Sequence, residues 1–361
     1  MPEYCVTGGT GFIASYLVKT LLENGHHVRT TVRNPGDYGR VGFLWEFNGA
    51  KERLKIVKAD LLEEGSFDEA IEGVDGVFHT ASPVLVPYDN NIKTTLIDPS
   101  INGTVNVLNS CLKANSVKRV VLTSSCSAIR YRYDVQQLCL LNESHWTDPD
   151  YCKRYNVRTN PSFSVLFHVQ RKINSIQSIK ILRLFFSITF FIWVFWQLWY
   201  AFAKTLAEKE AWRMAGEHGI DLVVVNPSFV VGPLLTPKPT STQHLVLTIM
   251  KGERGEYPNC TLGFVHVDDV VAAHILAMEN PKASGRIICS STVAHWSQII
   301  DTLRSKYPSY PFESKCSFQQ GECNPHNMDT SKISELGFPG FKTMEQMFDD
   351  SIKSFQDKGF L

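Results

Sequence analysis

Tyr4-Cys5-Val6-Thr7-Gly8-Gly9-Thr10-Gly11-Phe12-Ile13-Ala14 is the stretch whose reading decides the fold. Tyr4 to Thr7 is a short apolar strand, and a helix runs from the glycines toward Leu21 and Leu22, stopping near Gly25. Gly8 permits the tight turn, Gly11 lets a pyrophosphate approach the backbone, and Ala14 allows the helix to pack closely on the strand. The free amides at the helix start, around Phe12 and Ile13 beside Thr7, then face phosphate oxygens. Strand, glycine turn and helix in immediate succession point to dinucleotide binding.

Outward from this turn, strands and helices alternate. The strand His27 to Val32 ends at Arg33, where an acidic residue would hold a ribose 2′-hydroxyl. A guanidinium there suits a 2′-phosphate and favours NADP over NAD, and Arg40 offers a second contact. Leu54 to Ala59 precedes Asp60-Leu61, with Asp60 placed to address adenine. A helix around Phe67 to Ile71 leads to the strand Gly76 to Thr80, which runs into Ala81-Ser82-Pro83; Thr80, Ala81 and Ser82 face the cofactor. A helix follows over Pro99 to Ala114, then a strand over Val120 to Thr123. This alternation predicts an α/β fold, a Rossmann-type doubly wound parallel sheet with a smaller C-terminal substrate lobe. Ser124-Ser125-Cys126 sits at a strand end, and Ser125 is the candidate for holding a substrate carbonyl oxygen, with Ser124 and Ser127 as alternatives.

LWYAFAKTLAEKEAW, residues 198–212, reads as a helix. Leu198, Phe202, Leu206 and Trp212 form its apolar stripe, and Glu208, Lys209 and Arg213 are expected to face elsewhere. Tyr200 and Lys204, four apart, share one face. A cation beside a phenol favours the phenolate, so Lys204 is expected to lower the Tyr200 pKa and suit it to proton transfer.

Composition narrows the class. The 361 residues carry 36 basic and 36 acidic side chains, which gives no electrostatic reason to expect nucleic-acid binding. Nine cysteines without CxxC pairs fit a reduced, intracellular protein with no structural zinc. The opening MPEYCVTGG lacks the basic and apolar regions of a signal peptide, so a cytoplasmic location is expected, with nuclear or endoplasmic-reticulum association as alternatives.

With these motifs in place, the chain resembles the extended short-chain dehydrogenase/reductase superfamily, in particular the plant dihydroflavonol reductase and cinnamoyl-CoA reductase group. Within that group it is similar to the tetraketide α-pyrone reductases. The resemblance covers 1–156 and 198–361, through TGGTGFIA, VRTTVRNP, VFHTASPV, VLTSSCSAIRYRYD, LNESHWTDPDYCKRYN, LWYAFAKTLAEKEAW and VVVNPSFVVGPLL. It implies a catalytic triad of Ser125, Tyr200 and Lys204, with Lys204 also on the nicotinamide ribose, Pro227 and Ser228 beside the nicotinamide, and Arg33 selecting the phosphate. The implied reaction is NADPH-dependent reduction of a ketone, most closely of a tetraketide α-pyrone made by a type III polyketide synthase for sporopollenin. Association with enzymes of that pathway would follow. Cinnamoyl-CoA reductases carry NWYCYGK where this chain has LWYAFAK, which weighs against a CoA thioester. Dihydroflavonols and cinnamoyl-type carbonyls are the alternative substrates, and an inactive NADP-binding isoform is the alternative of another class.

Between Asn156 and Leu198 the resemblance breaks. Without Val157 to Gln197, YCKRYN joins LWYAFAK directly, and the Ser125–Tyr200 interval falls from 75 to 34 residues. These 41 residues contain no Asp, Glu, Ala or Gly, all of which need codons beginning with G, while Phe and Ile fill seven and six positions. The bounding valine and glutamine can encode the GT and AG of a spliced intron. The segment is therefore expected to be a retained, translated intron or a gene-model error; its presence in the dominant transcript would contradict that. From 184 to 203 the only strongly polar side chain is Gln197, long enough for a membrane span by length. That span would include Tyr200, so it is incompatible with the active site and no membrane association is expected.

Toward the C-terminus, Gly219 is read as a helix cap and Asp221 to Asn226 as a core strand, after which Pro227 turns the chain. Residues 1–156 and 198–235 form the expected Rossmann core. The substrate lobe is 236–361, with 264–290 contributing to the core. His266-Val267-Asp268-Asp269 reads as a loop and helix start, with Asp268 or Asp269 near the N-terminus, rather than a metal site. Residues 308–328 read as surface loop, and Thr343 with Gln346 as a capping box for the last helix.

Overall fold

In the computed structural model of the chain, residues 1–83, 91–157, 179–317 and 326–361 are described. Their strands are β1 (Glu3–Val6), β2 (His27–Val32), β3 (Leu54–Lys58), β4 (Gly76–His79), β5 (Arg119–Thr123), β6 (Leu140–Leu141), β7 (Leu222–Pro227), β8 (Phe229–Val231), β9 (Thr261–His266), β10 (Gly285–Cys289), β11 (Thr292–His295) and β12 (Asn327–Met328). Seven form one sheet in the order β3-β2-β1-β4-β5-β7-β10, every pair parallel. This is the doubly wound arrangement, with its topological switch between β1 and β4.

The central strands are buried along nearly their whole length because helices cover both faces. Side-chain alternation divides them cleanly. Val6, Phe78, Val121, Val223 and Val225 pack with the helices Phe12–Glu23 and Val267–Glu279. Cys5, Val77, Val120, Leu122 and Val224 pack on the other face with Val107, Leu108, Ala211 and Met214. The helix Ile179–His218 covers that second face through its C-terminal half, and Gly219 follows at φ 70°. Its side chains are described from Leu198 onward, so the expectations for 158–178, and those that rest on the side chains of 179–197, lie outside what is described. Among the described residues no helix is long and apolar enough to cross a membrane.

Pro227 ends the pairing of β7, and the last bond to the main sheet runs from Ser228 N to Cys289 O, 3.0 Å. β8 then leaves the main sheet and joins β9 and β11 in a three-stranded sheet, while its Val230 still packs with the core of the main sheet. The lobe is built on an aromatic knot in which Trp296 meets Phe264 at 5.3 Å and Phe229 at 5.6 Å. The last helix, Met344–Asp357, carries the expected capping box at Thr343 and Gln346 and buries Met347, Phe348, Ile352 and Phe355. Within 264–290, the helix Val267–Glu279 and β10 do pack with the main sheet.

His266 caps the helix at Val267, its Nδ1 accepting from Asp268 N at 3.0 Å, and Asp268 and Asp269 lie in the first turn, near the N-terminus as expected. Their carboxylates accept from Lys342, through its ammonium and its backbone N–H respectively. One local expectation is corrected. The region 308–328 is more than surface loop: Phe312 and Glu313 are buried, Glu313 accepts from Gly255 N at 2.8 Å, and β12 pairs with β6. Residues 318–325 of that region lie outside the described residues.

Candidate active site

The glycine turn sits at the switch between β1 and β4. Gly8 adopts φ 76°, a left-handed conformation that disfavours any side chain, and a Cβ there would press on Ala81 at 3.1 Å. Gly9 is the glycine the sequence reading passed over: a Cβ on it would overlap the Thr30 hydroxyl, which donates to Val6 O at 2.8 Å. Gly11 has an ordinary φ of −76° and directly precedes the helix. Its φ does not require glycine, but a Cβ there would sit 3.1 Å from Gly8 O, inside the turn.

Thr7 joins the turn to β4. Its hydroxyl accepts from Thr80 N at 3.1 Å and Ala81 N at 3.0 Å, and it lies 2.9 Å from His79 Nδ1. With both lone pairs occupied, the hydroxyl proton goes to Nδ1, so His79 is neutral with its proton on Nε2. Burial, followed by the charge of Lys204, pushes the His79 pKa down to about 3. Arg33, exposed at the end of β2, has no hydrogen bond or ion pair among the described residues, whereas Arg40 Nε lies 3.3 Å from Asp37. Asp60 Oδ1 accepts from Leu62 N at 3.0 Å, fixing the Asp60-Leu61 turn, and Ser82 follows Ala81 in the partly buried loop after β4.

Ser125, Tyr200 and Lys204 converge beyond the C-terminal end of β5. Ser125 Oγ accepts from Ser127 N at 3.0 Å, which leaves its proton to donate, and it is hydrogen-bonded to Tyr200. Ser124, one of the alternatives, turns inward and donates to Glu208 Oε2 at 2.5 Å. Lys204 is buried and donates to Thr123 O at 2.9 Å, and burial pulls its pKa down to about 8 against the opposing charge of Glu208. Tyr200 moves opposite to the sequence expectation: burial pushes it up to about 12, and the Ser125 bond only partly offsets that. Desolvation costs the phenolate more than its neighbours return, so the side chain is held as a phenol, ready to give a proton.

Glu208 is the other functional residue that the sequence reading misplaced. It was expected to face away from the core, yet it is 1% exposed. It follows Lys204 by the same four-residue step that separates Lys204 from Tyr200, and that step was the available signal.

The sheet order with a glycine turn at the switch point defines a Rossmann-type dinucleotide-binding protein. The sequence model of the NAD dependent epimerase/dehydratase family matches residues 4–130 and 198–289, and the chain belongs to that family. The second matched segment begins at Leu198, the first residue after the expected insert. The chain is 62% identical to tetraketide alpha-pyrone reductase 2 of Arabidopsis thaliana over 362 residues, covering 100% of both. It is 44% identical to tetraketide alpha-pyrone reductase 1 of the same plant, covering 99% of this chain and 97% of the relative. The crystal structure of vestitone reductase from alfalfa superposes with a TM-score of 0.74 at 32% identity, covering 100% of each chain.

Features of the site fit a nicotinamide dinucleotide. Gly8, Gly9 and Gly11 keep side chains out of the turn, and Arg33 is an exposed cation at the end of β2 with no ion pair among the described residues. Beside Pro227, the buried Asn226 Oδ1 and Ser228 Oγ have no hydrogen-bond partner among the described residues, so acceptor and donor capacity remains where the nicotinamide end would lie.

Proposed function

We propose that the chain is an NADPH-dependent reductase of ketone carbonyls, acting on tetraketide α-pyrones of the kind used for sporopollenin. The observation that carries this reading is the junction of Ser125, Tyr200 and Lys204 at the strand ends that also form the glycine turn. The full-length identity to tetraketide α-pyrone reductases supports the substrate class. NADPH, when bound, supplies the hydride.

The protein's own residues handle the oxygen and its proton. Thr7, Gly8, Gly11, Phe12 and Ile13 receive the pyrophosphate, and Arg33, with Arg40 as a weaker second contact, addresses the 2′-phosphate. Asp60 and Leu61 border the adenine; Thr80, Ala81, Ser82, Pro227 and Ser228 flank the remainder. Ser125 donates a hydrogen bond to the substrate carbonyl oxygen and fixes it near Tyr200. Tyr200 releases its proton as negative charge develops on that oxygen. Lys204, anchored to Thr123 O, holds the nicotinamide ribose and places positive charge beside the forming phenolate. Its influence is greatest once the phenolate forms, which reconciles the raised Tyr200 pKa with a proton-donor role.

The segment 157–197 stands as an insertion outside this machinery, in keeping with the family match that resumes at residue 198. The partner is a small-molecule polyketide carbonyl, with association to the enzyme that makes it as the wider expectation. The test is NADPH oxidation with a tetraketide α-pyrone beside a dihydroflavonol and a cinnamoyl-CoA thioester. Turnover of the pyrone supports the reading; turnover confined to either of the others reassigns the substrate.

A further inference from the structure

The carboxylate of Glu208 is a junction between four parts of the fold. Ser124 Oγ donates to Oε2 at 2.5 Å and Asn226 Nδ2 donates to the same oxygen at 3.0 Å. Arg286 Nε donates to Oε1 at 2.6 Å, and Trp212 Nε1 lies 3.4 Å from that oxygen. The pair is buried, with Glu208 1% and Arg286 6% exposed. Arg286 also donates to the carbonyls of Ala128, Glu143 and His145, and its guanidinium carbon lies 3.8 Å from the centre of the Trp146 ring. Asn226 Nδ2 makes a further bond to Ser125 O at 3.2 Å. Glu208 thus reaches the residue before Ser125 directly, Ser125 itself through Asn226, and Lys204 along one helical turn.

We propose that Glu208 is a positioning residue for carbonyl reduction, locking the Tyr200–Lys204 helix to the Ser125 turn and holding Lys204 in its charged form. This rests on reading Tyr200 and Lys204 as the proton-transfer pair. Lys204 is faced by Tyr200 and Glu208 on its own helix, by the Thr123 carbonyl and Ser125 beyond β5, and by His79 from β4. Arg286 acts on it from β10 through Glu208, and the helix Asp98–Ala114 packs against the Lys204 helix. Among these neighbours Glu208 is the anion. Removing its charge leaves Lys204 beside an unpaired Arg286, so the ammonium gives up its proton at lower pH. Removing Arg286 does the reverse.

The experiment measures pH profiles of kcat and of NADPH affinity for wild type, E208Q, R286M and E208D, in full-length protein. The alkaline midpoint is expected to fall by about one unit in E208Q and to rise in R286M. A purely structural role would lower rates without moving the two midpoints in opposite directions. E208D keeps the charge and guards against failure of the other two to fold. Its shorter arm is expected to lower kcat about tenfold with an unchanged midpoint, by stretching the Ser124 and Asn226 bonds. Unchanged midpoints in both E208Q and R286M, or wild-type kcat in E208D, overturn the proposal. If wild type reduces no carbonyl, the reductase reading fails by itself, while opposite shifts in the NADPH-affinity midpoints still test the role of Glu208.

Discussion

Replacing Arg33 by glutamine tests the choice of cofactor at one exposed position. The side chain stands at the end of β2 without a protein partner among the described residues, so its removal strands no buried group and should leave the fold intact. A charge-assisted hydrogen bond is worth about 1.5–3 kcal/mol, and each 1.36 kcal/mol is tenfold in affinity. Exposure to solvent and salt places this contact toward the lower part of that range. NADPH affinity is therefore expected to fall by about tenfold to thirtyfold, while NADH affinity changes by less than about twofold, since NADH has no 2′-phosphate. Arg40 is held near Asp37 and its side chain is 74% exposed, so R40Q should cost NADPH less than about threefold. Fluorescence titration of both cofactors at two ionic strengths gives all three numbers. Equal losses for NADPH and NADH in R33Q, or no loss in either, would refute the phosphate-selecting role.

Other perturbations separate folding from binding. G9V drives a side chain into Thr30 and should destabilise by about 1–3 kcal/mol in urea denaturation, whereas G11A should keep most of the stability and lose NADPH affinity. Burial depresses His79 to about 3 and His274 to about 4, so below about pH 6.5 the unfolded chain binds more protons than the folded one. Stability should then decline as pH falls from about 6.5 toward 4, by about 1.4 kcal/mol per pH unit for each histidine in the steep part of that window, with H274N removing His274's share. Deleting 157–197 should give a folded protein that binds NADPH and reduces carbonyls at least as fast as the full chain. A shortened protein that fails to fold or loses turnover would contradict the insertion reading.

Much of this architecture was legible because it depends on local patterns. Buried parallel strands read as apolar runs, and the glycine turn, the Thr343–Gln346 box and the four-residue step from Tyr200 to Lys204 are short-range signals. What escaped the sequence was settled by partners far along the chain. Glu208 looked like a solvated charge because its counter-ion, Arg286, lies 78 residues away on β10. Gly9 gained its meaning only when β2 brought Thr30 against it, and β8 changed sheets to pair with β9, more than thirty residues further along the chain. The direction of the Tyr200 shift was misread for a related reason: an i, i+4 lysine is visible in sequence, but the desolvation that raises the phenol's pKa is not.

The most direct test of the central claim follows the transferred atom. Full-length protein is given NADPH deuterated at its transferable hydride together with a tetraketide α-pyrone, and the product is examined by mass spectrometry in wild type and Y200F. Deuterium on the new carbinol carbon, formed about 10²–10⁴-fold more slowly in Y200F, is the predicted result. No label in the product, or a Y200F rate equal to wild type, would contradict the account.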